Sequence, residues 1–320
     1  MLRFLNKNIA FQWVLFLGLL ILSIYNIITR TQLEGVQGAA FLYIKFSFLF
    51  SQHELLCKCI IIIVLLLQLW LMQYYYKKNE YASKTTLLPA CFYLSILLLT
   101  KSLTAISPFF FSLFFFLIII CLDFAGTSVK LKNNVFWTGM LIALATCFDI
   151  SSVILLILMI VTLVINQYSQ IKEIGILLFG FGILYFYFFF YYFLTSNFKE
   201  WLFSFQEIKI MGVLNSNIAN FPLLTLCSLV ALCIIYIFFI VKFKLMSDVK
   251  VVKQRDRIVT LNTRAFLMVA CIFISNSSYP NILGYLFVHI SIYLAMLAQE
   301  KSPLYINELI TIIMIAALWL

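Results

Sequence analysis

Few side chains in this chain have the type and setting for chemistry. Asp149 lies between two apolar runs in CFDISS, at an expected outer turn, with Ser151 and Ser152 just behind it. An acid followed by such residues starts a helix well, so an N-cap competes with a ligand-binding carboxylate. His289 falls inside an apolar run, where a bond to a neighbouring helix competes with a ligand or proton-relay role. Glu308, in YINELI, falls in the last apolar run near its expected inner interface. Lys101 and Pro108 bound a short outer turn, TKSLTAISP. Cys57-Lys58-Cys59 has C-x-C spacing, not the C-x-x-C of metal and redox sites, although His53 is nearby. With two His in the whole chain, a His-rich metal centre is excluded, and no metal or cofactor is implied by these residues. There is no phosphate-loop motif, no H-E-x-x-H and no G-x-S-x-G.

The elements that must position these residues are set by composition. Hydrophobic residues make up 64% of the 320, charged residues 11%, and mean hydropathy is +1.08. Soluble domains carry about 25% charged residues, so a soluble globular protein is excluded. Apolar runs fall at Ile9–Ile28, Leu55–Tyr74, Thr86–Leu99, Pro108–Leu122, Val135–Phe148, Ser152–Ile165, Ile174–Leu194, Phe221–Val241, Ala265–Ser275, Ile282–Leu297 and Leu304–Leu320. Only helices satisfy their own backbone at these lengths in lipid. The expected fold is therefore all-α, a polytopic transmembrane bundle of 11 spans, with 9–12 as the range, in a single integral membrane domain over 1–320. Several runs are shorter than the roughly 20 residues a crossing needs, so they are expected to extend into polar flanks or to be re-entrant. The first run lacks a small-residue cleavage site and is read as a retained helix.

Basic residues orient the spans. With the N-terminus inside, 16 of the 22 Lys and Arg fall on the inner side. This predicts a membrane protein with a cytoplasmic N-terminus and a C-terminus on the outer side. The net charge of +10 is thereby explained by topology, and no nucleic-acid partner is expected. Two outer segments are more than connectors. Residues 30–54 contain an apolar stretch, Ala39–Phe50, broken by Lys45, that suits an interfacial helix. Residues 198–211 place Phe198, Trp201, Leu202, Phe205 and Ile208 at helical spacing, an outer amphipathic helix. For both, a loop packed over the bundle mouth is the alternative. The basic loop over 242–264 suits topology and anionic-lipid contact, or else a site for an anionic partner or a phosphorylated lipid head group. The aromatic run Tyr185–Tyr192 reads as an interfacial girdle, or as a wall for a lipid tail or sugar face.

The stretch from Val135 to Trp201 resembles an uncharacterised family of polytopic inner-membrane proteins of Bacteroidota. The resemblance is carried by a Gly-containing helix, a short turn, an apolar helix, a polar inner turn and a helix ending in aromatics. The same stretch is more distantly similar to GT-C membrane glycosyltransferases, with Gly139, Ala143 and Ala145 in the places of their G-x-x-x-G/A-L-A helix. That similarity implies a polyprenyl-linked sugar donor used at the outer face, in envelope glycan or glycoprotein assembly. It implies Glu34 in the first outer loop as catalytic acid or base, Arg30, Lys45 and Lys101 as the cations near phosphate, and Asp149 as a further substrate-binding group. A divalent cation would accompany such a transferase. The chain departs from that pattern in lacking an Asp-Glu or Asp-x-Asp pair in its first loop. Two other classes are weighed against the enzyme. One is a non-enzymatic scaffold subunit of an envelope complex, with protein partners. The other is a transporter of small solutes or lipids.

Overall fold

Apolar runs joined by short polar turns become helices, because each peptide N–H is satisfied within its own segment. The computed structural model describes residues 9–33, 41–79, 81, 86–99, 103, 105–106, 108–122, 128–165, 171–195, 258–266 and 279–299. Their elements are α1 (Ile9–Arg30), β1 (Gln32–Leu33), α2 (Phe41–Gln52), α3 (Glu54–Lys78), α4 (Leu88–Leu99), β2 (Ala105–Ile106), α5 (Pro108–Cys121), α6 (Ser128–Phe148), a 3₁₀ turn (Ile150–Val153), α7 (Ile154–Ile165), α8 (Ile171–Leu194) and α9 (Tyr279–Gln299). The short segment 258–266 is also helical. Among the described residues three helices, α1, α3 and α8, are long and apolar enough to cross a membrane. The expected outer helix over 198–211, the runs at 221–241 and 304–320, Glu308 and most of the basic loop lie outside the described residues.

Helix boundaries follow the local chemistry. Pro89, Pro108 and Pro280 all sit in first turns, where a missing N–H costs nothing. α6 begins at Ser128, seven residues before the expected Val135, because Lys130, Lys132, Asn133 and Asn134 are wound into its first turns. Long basic side chains permit this by carrying their charge back to the interface. By contrast α4 and α7, at 12 residues each, stay short. They span only about 18 Å.

α1 is built inside out. Gln12, Ser23 and Asn26 are buried, while Trp13, Val14, Leu17, Ile21, Tyr25 and Ile28 are exposed. In water such a face would be an exposed apolar patch; in lipid it is the natural outer surface. α4 is buried on every side, with Phe92 and Tyr93 fully enclosed, and forms the centre of the core with α5 and α9.

Polar side chains tie helix ends to one another. Gln12 Oε1 accepts from Thr86 Oγ1 and from Leu87 N, both at 3.1 Å, and Thr86 Oγ1 accepts from Leu88 N at 3.2 Å. These bonds satisfy N–H groups that the start of α4 leaves open. Lys78 Nζ donates to Cys121 O at the end of α5 (2.8 Å), and Lys58 Nζ to Ile28 O near the end of α1 (2.7 Å). Cations at helix C-termini also meet the negative end of the helix dipole. In mid-bundle Gln68 bridges three helices, donating to Phe110 O (2.9 Å) and accepting from Tyr93 Oη (3.0 Å).

Candidate functional site

The end of α1 is drawn onto the turn between α4 and α5. Thr31 Oγ1 donates to Leu103 O at 3.3 Å, and β1 and β2 pair in parallel, Gln32 with Ala105 and Leu33 with Ile106. Tyr43 of α2 then donates to Ile106 O at 2.7 Å, fixing α2 across the same end of the bundle. Sequence reasoning treats residues 30–54 and the Lys101 turn as separate outer segments. The structure joins them through bonds between residues far apart in the chain, for which no local pattern exists.

α2, where an interfacial helix is expected, presents Phe41, Leu42 and Lys45 to the aromatic end of α8. Tyr187, Phe188, Tyr191 and Tyr192 face them across a cavity of about 350 Å³. Phe41 packs edge-on against Phe188 (4.8 Å between centroids) and Tyr192 (5.5 Å). Lys45 Nζ stands 5.7 Å from the Tyr191 ring centre and 5.5 Å from that of Tyr192, within cation–π range.

The aromatic wall is held in place from α6. Gly139 of α6 meets the backbone of Leu177 and Phe181, and Gly180 of α8 meets the Phe136 carbonyl, so the two backbones touch. One turn beyond, Ala143, Cys147 and Leu184 form a small core, and the Thr146 and Tyr185 hydroxyls share a hydrogen bond at 2.5 Å. The alignment of these contacts makes α6 and α8 parallel neighbours, with α7 returning between them in sequence.

Chemically, the groove joins an apolar floor and wall to one ammonium. That suits a lipid carrying an anionic group. No carboxylate lines it among the described residues.

The expected site residues separate. Lys45 is in the groove, and Arg30 is exposed at the last residue of α1. Glu34 and Lys101 lie outside the described residues, although their close chain neighbours Leu33 and Leu103 are joined by the pairing above. Asp149 is 0% exposed. Its N–H continues α6 by bonding Ala145 O (2.9 Å), and its carbonyl accepts from Ser152 N (3.0 Å). It is part of a buried polar group in which the Tyr285 hydroxyl links Ser112 Oγ (2.9 Å) and Ser152 Oγ (2.8 Å). His289, one turn along α9, has its Nδ1 3.1 Å from Tyr285 O, a contact within its own helix. Cys57 is buried and Cys59 exposed, so the C-x-C thiols do not share a face. Lys58 was missed as a structural cation. It pairs with Glu54 at 2.6 Å while capping α1, and its Glu-to-Lys i,i+4 spacing was the available signal.

No protein family, no curated protein and no solved structure matches the chain.

Proposed function

We propose that the chain is a multi-span protein of the bacterial inner membrane that handles polyprenyl-linked sugars at the outer face, in the manner of a GT-C glycosyltransferase. The observation that carries this reading is the groove between α2 and α8, an aromatic wall with the Lys45 ammonium at its rim. An isoprenyl chain fits the wall, and its phosphate fits the cation. The end holding Thr31 and Lys45 is taken as periplasmic. Lys77, Lys78, Lys130, Lys132 and Lys172 lie toward the other end, against Arg30, Lys45 and Lys58 here. This is the sense of the positive-inside rule. In this reading the chain crosses the membrane 11 times, Glu34 acts as acid or base, and Arg30 and Lys101 add charge beside the phosphate.

The test is binding of the full chain, in phosphatidylcholine nanodiscs, to a short polyprenyl phosphate and to the matching neutral polyprenol. The phosphate is expected to bind more tightly. Lys45→Met should reduce that preference roughly tenfold, the loss of one charge-assisted contact. Equal affinity for phosphate and alcohol refutes the reading. With binding established, Glu34→Gln should abolish sugar transfer while leaving binding intact; a binding protein without transfer activity in the wild type leaves the scaffold class.

A further inference from the structure

The outer end of α8 makes an aromatic corner. The rings of Tyr191 and Tyr192 stand 5.5 Å apart between centroids and at 89° to one another, so two ring planes meet nearly at right angles. Phe41 of α2 closes on Tyr192 edge-on, at 81°, and on Phe188 one turn back along α8. Leu42 and Tyr187 complete the lining of the cavity. The Lys45 ammonium comes into this corner from α2. It lies over both rings at almost equal distances, 5.7 and 5.5 Å from their centres. Lys45 follows Phe41 by four residues, so the two side chains leave α2 on one side.

An aromatic ring carries partial negative charge on its faces, so two faces set at an angle attract a cation between them. Recognition of a quaternary ammonium such as choline uses surroundings of this kind. Here the cation position is taken by a side chain of the protein itself. A head group ending in a positive charge therefore meets a like charge at the faces that would otherwise attract it. For an anionic head group the same arrangement is favourable. The rings have no net charge, so they hold the ammonium in place without neutralising it. Lys45 is exposed, which leaves its outward side to an anion.

We propose that Lys45 sets the head-group selection of the groove by occupying the cation position of the Tyr191–Tyr192 corner. Lipids whose head ends in a quaternary ammonium are refused, and lipids with an anionic head are taken. This rests on the reading of the groove as a lipid site, and adds to it the excluded class and the means of exclusion. Removing Lys45 then does more than weaken an anion's site. It uncovers a site for the opposite charge.

The experiment uses the full chain in maltoside micelles and radiolabelled probes that share one tail: dodecyl phosphate, dodecanol and dodecyltrimethylammonium. Each is titrated below the concentration at which it forms micelles of its own. The wild type is expected to bind them in that order of affinity. Lys45→Met should invert the order, with dodecyltrimethylammonium gaining roughly tenfold over the wild type. Lys45→Arg should keep the wild-type order. Adding Tyr191→Leu to Lys45→Met should remove most of the gain, because a single face is left; simple relief of repulsion would not need that ring. If Lys45→Met does not fold, Lys45→Gln is judged by the same criteria. Absence of a gain overturns the proposal, and so does a gain that survives Tyr191→Leu. The two readings fail separately. A wild type that prefers dodecyl phosphate to dodecanol, with no gain for dodecyltrimethylammonium in Lys45→Met, overturns selection by Lys45 and leaves the polyprenyl-phosphate reading standing. Equal affinity of the wild type for dodecyl phosphate and dodecanol refutes that reading, and with it the proposal built on it.

Discussion

The crossing of α6 and α8 allows a test in which neighbouring glycines respond with opposite signs. A methyl placed on Gly180 would lie against the Phe136 carbonyl oxygen and 3.3 Å from the Phe136 ring. On Gly139 it would meet the Leu177 carbonyl oxygen and stand 2.9 Å from Phe181 N. These are backbone atoms inside helices and cannot step aside singly. To restore a carbon–oxygen contact of about 3.4 Å the helices must part by ~1 Å. Overpacking of this kind costs about 1–3 kcal/mol. Gly139→Ala and Gly180→Ala are each expected to destabilise by that amount, and the double variant by less than the sum, since one separation makes room for both methyls. Gly175 and Gly182 lie on the same α8 with nothing within 4 Å of an added methyl. There alanine should be neutral or stabilise by up to about 1 kcal/mol through helix propensity. Separation of α6 from α8 would also strain the Thr146–Tyr185 bond and shift Phe188 and Tyr192, so Gly180→Ala should weaken ligand binding in the groove while Gly182→Ala does not. The assay is unfolding in detergent or lipid, with groove binding measured in parallel. Equal shifts for Gly180→Ala and Gly182→Ala would refute the close approach and the account of how α8 is positioned.

Two further outcomes follow from buried and exposed polar groups. Gln68→Leu leaves the Tyr93 hydroxyl and the Phe110 carbonyl without the partner they now have, and should cost about 1–3 kcal/mol on thermal or denaturant unfolding. Adding Tyr93→Phe should recover part of that loss, because it removes one of the abandoned groups. The orientation can be read with a membrane-impermeant maleimide in intact spheroplasts, in a background where the exposed Cys59 is serine. Gln52→Cys should label and Lys132→Cys should not, and the reverse pattern would invert the assignment of the two ends.

The helices were legible because apolar length is the dominant constraint in lipid, and the described runs reappear within a few residues of where hydropathy puts them. Their ends were less so. Lys130 and Lys132 look like loop residues, yet a long aliphatic stem lets a helix run beneath a charge. Lys45 was visible as a break in an apolar stretch, and Gly139 with Ala143 as small residues one turn apart. The pairing of Leu33 with Ile106 was not visible, since strands of two residues carry no periodicity and their partners are distant in sequence. Burial of Arg264 was hidden by its position at the end of a basic run, although Ile258, Leu261 and Ala265 beside it carry a helical spacing. The polar group around Tyr285 was half visible: Asp149 and Ser152 were noted, but their partners come from α5 and α9.

The inside-out character of α1 also dictates an order of events during synthesis. Gln12 faces the core and bonds the Thr86 hydroxyl, a partner 74 residues later in the chain. At about 5–20 residues per second, translation takes roughly 4–15 s to deliver that partner. Throughout that interval a helix with Gln12, Ser23 and Asn26 on one side has entered the bilayer before its companion exists. The first helix is thus inserted as an unfinished surface, and the cell's insertion machinery must shelter it until α4 arrives.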